Sequence, residues 1–81
     1  MSDIEQLKEI VAEFRDERDW KQFHSPKNLA TSITIESAEL LELFQWDDQL
    51  KERTKLKEEM ADVFIYLLSL ADITNIDLQE A

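Results

Sequence analysis

The sequence has no cysteine and no glycine, a single proline (Pro26) and a single histidine (His24). Each absence removes a class of site. Without cysteine there are no disulfides, and with one histidine there is no Cys/His zinc cluster, so neither device can reinforce a short chain. Without glycine there is no Gly-rich phosphate loop, which excludes P-loop and dinucleotide-fold nucleotide binding. Any nucleotide would have to be held by side chains and metal. No charged segment followed by an apolar core opens the sequence, and no apolar run reaches the ~20 residues of a membrane span. The expectation is a soluble, cytoplasmic protein that does not engage a membrane.

Basic residues are also scarce. Nine Lys and Arg stand against nineteen Asp and Glu, for a net charge of −10. Broad contact with a nucleic-acid polymer needs a basic face and is not expected. A small phosphate ligand remains possible, because carboxylates hold divalent cations and these hold phosphates. The length of 81 residues allows one domain with a thin core. Oligomerisation is the simplest remaining source of stability.

The periodicity is helical throughout, which predicts an all-α, antiparallel bundle over residues 1–81. Residues 3–19 place Ile4, Leu7, Ile10, Val11 and Phe14 on one stripe. Ser25 and Pro26 suit the start of a second helix, expected from about Lys27 to Trp46. Asp47-Asp48 reads as a turn and helix cap. A third helix is expected from Asp48 or Thr54 to Ile73, ending at Thr74-Asn75. Asp77 would cap a fourth that has barely begun at Ala81.

At about 100° per residue, Leu29, Ile33, Leu40, Leu43 and Phe44 form the apolar face of the second helix. Glu36 falls inside that stripe and Glu39 at its margin. Leu56, Met60, Val63, Leu67 and Leu70 form the expected face of the third helix, with Glu59 bordering it and Asp62 next to it. Each helix thus carries an acidic pair one turn apart. If the faces meet, four carboxylates converge, and a divalent cation with oxygen ligands would relieve their desolvation and repulsion. The ordinary alternative is a solvated acidic face, since the chain is rich in Asp and Glu. Glu36 fits that alternative worst, because its neighbours are leucines.

Glu36-x-x-Glu39, nineteen residues, then Glu59-x-x-Asp62 resembles the ExxE…ExxD signature of the MazG-like all-α NTP pyrophosphohydrolases. The stretches ERDWKQFHSPKNLA, ELLELFQW and EEMADVFIYLLSLADITNIDL resemble the single-domain branch related to the dCTP pyrophosphatases, over roughly Phe14 to Leu78. The resemblance implies a fold completed by oligomerisation, as a homodimer or homotetramer. It implies hydrolysis of a (d)NTP, expected to be a deoxynucleotide, to (d)NMP and pyrophosphate, and a role in clearing surplus or non-standard nucleotides. Glu36, Glu39, Glu59 and Asp62 match Mg²⁺ ligands and the catalytic carboxylates, with Mn²⁺ a possible substitute. Trp46 matches a base contact, Tyr66 a residue near the sugar, Trp20 and His24 further pocket positions, and Lys27 and Asn28 a pair near the phosphates.

Several of these have plainer readings. Trp20 and Trp46 could be core, and His24 a loop or capping residue. Arg18 points into the apolar stripe of the first helix, where it would meet a phosphate, a carboxylate or a helix end; Arg15 is expected at the edge. Similar proteins continue into a longer fourth helix and a basic C-terminal segment, so the C-terminal helix is expected to be truncated or short. The principal alternative is a non-catalytic helical interaction module that keeps the fold. A carboxylate-bridged iron protein is disfavoured, since His24 lies outside both acidic motifs.

Overall fold

The computed structural model describes residues 3–17, 25–45 and 52–81. Three helices account for most of them: α1 (Asp3–Glu17), α2 (Pro26–Glu42) and α3 (Arg53–Thr74). Among the described residues there is no strand, and no helix is long and apolar enough to cross a membrane. The all-α expectation holds.

The helix ends follow from local chemistry. Ser25 adopts an extended backbone, and its Oγ accepts from the Asn28 backbone N–H at 3.1 Å. Pro26 occupies the first turn, where no intrahelical donor is needed. At the far end of α2, Leu43, Phe44 and Gln45 donate to the carbonyls three residues back, tightening the chain into turns. The expected extension to Trp46, the Asp47-Asp48 turn and the start at Asp48 lie outside the described residues. The third helix begins at Arg53, beside the Thr54 start.

Helix α3 ends at Asn75, which takes a left-handed backbone with φ 58°. Asn75 donates to the Asp72 carbonyl and Ile76 to the Ala71 carbonyl, the paired bonds of a Schellman ending. Glycine normally fills this position; in a chain without one, asparagine is the next most tolerant residue. Asp77 then caps a single turn, its Oδ1 accepting from the backbone of Gln79 and Glu80.

Helix α3 packs against both α2 and α1. Among the described residues the buried apolar side chains are few: Leu29, Leu68 and Ala71. On α2 the expected face is the observed one, with Leu29 buried and Ile33, Leu40, Leu43 and Phe44 half-buried. On α3 the expected stripe is displaced. Met60 is 56% exposed and Leu67 is also exposed, whereas Glu59, Leu68, Ser69 and Ala71 are buried. The physical reason is the number of partners. A single-stripe reading assumes one packing face, but α3 serves two helices and buries residues on more than one side.

Helix α1 departs in the opposite sense. Ile4 and Val11 are half-buried, but Leu7, Ile10 and Phe14 stay exposed, Ile10 by 60%. Arg15 corrects the sequence expectation most sharply. It is not an edge residue: it is 3% exposed, and its Nη2 donates to Asp72 Oδ2 at 2.6 Å. This ion pair ties α1 to the C-terminal half of α3.

Candidate metal centre and active site

The site begins with two acidic pairs placed on facing helices. Glu36, from α2, and Glu59 and Asp62, from α3, each offer a carboxylate oxygen, and the three oxygens lie within 4.8 Å of one another. Glu59 is buried at 8% exposure, Glu36 is half-buried and Asp62 is exposed. The cluster therefore runs from a dry end to a wet end. The Oε2 atoms of Glu36 and Glu59 are buried without a hydrogen-bond partner among the described residues.

Such oxygens are costly to leave unpaired. Burial pushes the Glu36 carboxyl up to about 7, and interaction with Glu39 and the charge of Asp62 push the same way. Burial also raises Glu59, reinforced by the charges of Glu39 and Asp62. The geometry offers two ways to relieve this: retain protons, or take up a cation. Orphaned buried oxygens and an all-carboxylate donor set fit a hard divalent cation. Glu36, Glu59 and Asp62 would hold it.

Glu39 stands apart from the tight trio. It is exposed and lines a separate depression with Glu42, Leu43, Lys55 and Glu59. Its charge still reaches Glu36 and Glu59, so it belongs to the electrostatics of the cluster.

A pocket of about 320 Å³ opens beside the carboxylates. Val11, Phe14 and Arg15 of α1, Glu36 of α2, and Asp62, Ile65, Tyr66 and Ser69 of α3 line it. Tyr66, one turn beyond Asp62, thus shares a wall with two of the acidic residues. Lys27 and Asn28 do not line it. They are exposed in the first turn of α2, roughly 12 to 14 Å of helix axis from Glu36. Trp20, His24 and Trp46, like Arg18, lie outside the described residues.

Sequence reasoning missed Arg15 and Ser69 on the pocket wall, and Asp72 behind it. The signal for Arg15 was its spacing of four from Val11, which puts both on one side of α1. The apolar stripe through Phe14 points instead to Arg18, four residues on.

The model of the MazG-like family matches residues 31–80. The chain belongs to the MazG-like family. It is 45% identical to dCTP pyrophosphatase 1 of Rattus norvegicus over 87 residues, covering 96% of this chain and 51% of that protein. The human protein of the same name is 43% identical, over 93% of this chain and 49% of its own length. The chain thus spans about half the length of these relatives. The crystal structure of a pyrophosphatase from Archaeoglobus fulgidus DSM 4304 superposes with a TM-score of 0.82 at 44% identity, covering 99% of this chain and 82% of that one.

The raised carboxyl groups set a pH dependence for the metal-free protein. A carboxyl whose folded pKa lies above its unfolded value binds more protons when folded. Stability then falls as pH rises between the two values, and the full penalty is present above the folded one. For Glu36 that window runs from 4.5 to about 7. In EDTA, Glu36→Gln is expected to melt above the wild type at pH 8, with the gap closing by pH 4. A gap independent of pH, followed by thermal denaturation, would contradict the assignment.

Proposed function

We propose that this chain is a Mg²⁺-dependent nucleoside triphosphate pyrophosphohydrolase, releasing (d)NMP and pyrophosphate. The observation that carries the reading is the convergence of Glu36, Glu59 and Asp62, with two buried oxygens lacking partners, beside a pocket wide enough for part of a nucleotide. The family membership and the names of the relatives support it. They make dCTP the first substrate to test, and leave Mn²⁺ as a substitute metal.

When bound, a divalent cation neutralises phosphate charge and lowers the pKa of a water. The chain's own residues divide the remaining work. Glu36 and Glu59, pushed toward the protonated form by burial, would hold the cation from the buried end of the cluster once ionised. Asp62, at the exposed end of the cluster, would hold the cation from the solvent side. Glu39, on the rim, is placed to complete the ligand set or to take a proton from water. Tyr66, on the shared wall, is assigned to the sugar. Trp46 is assigned to base stacking, Trp20 and His24 to the pocket, and Lys27 and Asn28 to the phosphates of a substrate bound in the assembled protein. No covalent nucleophile is required. The broader role is clearance of surplus or non-standard nucleotides in the cytoplasm.

The assembly is a homodimer or homotetramer. Leu7, Ile10 and Phe14 on α1, and Ile35 and Leu41 on α2, are all exposed, and such apolar side chains are natural contacts for a second copy. A second copy would cover them. Light scattering at micromolar concentration should give a dimer or tetramer; a stable monomer would contradict this part of the reading.

Activity is tested with a panel of canonical and modified NTPs and dNTPs in Mg²⁺, scored for pyrophosphate against orthophosphate. Pyrophosphate is the expected product, with turnover falling by roughly a hundredfold or more in Glu36→Gln, whose folding should be intact. Orthophosphate release, or wild-type turnover by Glu36→Gln, would overturn the assignment. No turnover on any nucleotide would favour the non-catalytic interaction module.

A further inference from the structure

Arg15 is a buried charged side chain that the proposed reaction leaves without a task. It lines the pocket, is 3% exposed, and gives only Nη2 to Asp72, at 2.6 Å. Its Nε and Nη1 are buried with no hydrogen-bond partner among the described residues. An arginine serving only to tie two helices would be expected to close a fork on the carboxylate with two donors. Leaving guanidinium donors unsatisfied in a buried position is unfavourable and calls for an acceptor that arrives later.

The surroundings narrow the kind of acceptor. Asp72 already balances the guanidinium charge, and Asp16 Oδ1 lies 3.9 Å from Nε. What remains is donor capacity rather than net positive charge, so a second full anion is disfavoured. The neighbouring wall is largely apolar, with Val11, Phe14 and Ile65. That wall suits the uncharged part of a ligand, while Glu36 and Asp62 mark the end where metal and phosphates belong.

We propose that Arg15 is a recognition residue, held by Asp72, whose guanidinium donates to a neutral oxygen acceptor (a base carbonyl or a sugar hydroxyl) on the nucleoside part of the pocket's occupant. The inference rests on the nucleotide reading above and adds a specificity element to it. Engagement requires only that the guanidinium turn about its Asp72 contact to bring a free N–H to the pocket surface. The ion pair then has two consequences: it joins α1 to α3, and it sets the donor at a fixed place on the wall.

The test is calorimetric titration in Mg²⁺ with two probes, an α,β-methylene analogue of dCTP and inorganic tripolyphosphate. The proteins are wild type, Arg15→Met and the double variant Arg15→Met/Asp72→Leu, which removes both charges and keeps an apolar contact should the single variant fail to fold. Both variants should lose about tenfold or more in affinity for the nucleotide analogue, as expected for a missing charged donor, with tripolyphosphate binding unchanged. Analogues lacking the 3′-hydroxyl or the 2-carbonyl identify the oxygen: the one that no longer distinguishes wild type from Arg15→Met has lost the acceptor. An equal loss for tripolyphosphate would place Arg15 on the phosphates and overturn the proposal. Full nucleotide affinity in the double variant would reduce the pair to a structural tie and also overturn it. A wild type that binds the analogue but releases no pyrophosphate from dCTP defeats the hydrolase reading alone; one that binds no nucleotide defeats both.

Discussion

Everything at the centre of this molecule depends on the cost of keeping carboxylates close together away from water. Glu36 and Glu59 each have an oxygen buried without a partner, within reach of Asp62 and under the influence of Glu39. In a chain of 81 residues with only three buried apolar side chains among the described residues, such a cluster is a large liability against marginal stability. On α2 the face that buries Leu29 also carries Glu36, two turns on, whereas on α3 Glu59 and Asp62 lie across the helix from Leu68 and Ala71. A cation held by the acids would turn the least favourable part of the α2–α3 contact into a cross-link between the two helices.

The rest of the architecture arranges access to this cluster. Helix α3 is central, serving α2 on the acidic side and α1 across the pocket. Arg15 and Asp72 join α1 to α3 at the far side of the same cavity. Polar anchoring at one end and a metal-ready cluster at the other frame an apolar stretch between them, a layout suited to a ligand with one charged and one uncharged half. Leu7, Ile10 and Phe14 of α1 and Ile35 and Leu41 of α2 stay exposed in this arrangement, and the oligomer proposed above would cover them.

Much of this was legible in the sequence, for identifiable reasons. The start of α2 could be read from Ser25-Pro26 because capping is local chemistry, and the end of α3 from Asn75 for the same reason. Glu36 could be singled out because a charge inside a leucine stripe violates periodicity. The α3 face was misplaced at Met60 and Leu67 because a helix with two partners has no single stripe. Arg15 was misjudged because its partner, Asp72, is 57 residues away, and nothing local announces a pairing at that distance. Family resemblance supplied what periodicity could not, the link from four carboxylates to a phosphate-cleaving reaction. The roles it implies for Trp20, His24 and Trp46 rest on that resemblance alone.

The central claim is that the carboxylate cluster is a divalent-cation site built into the fold. Thermal melts with Mg²⁺ and with EDTA, at pH 7.5 and pH 5, on wild type and on Glu36→Gln/Glu59→Gln, test it most directly. Ligand at ~100 times Kd adds about 2.7 kcal/mol of stability, a rise on the order of 10 °C for a small domain. The account predicts that rise in the wild type at pH 7.5, a smaller one at pH 5 where protons compete for the raised carboxyls, and none in the double variant. Equal rises in wild type and double variant would show that Mg²⁺ merely screens the net charge of −10, and would contradict the account.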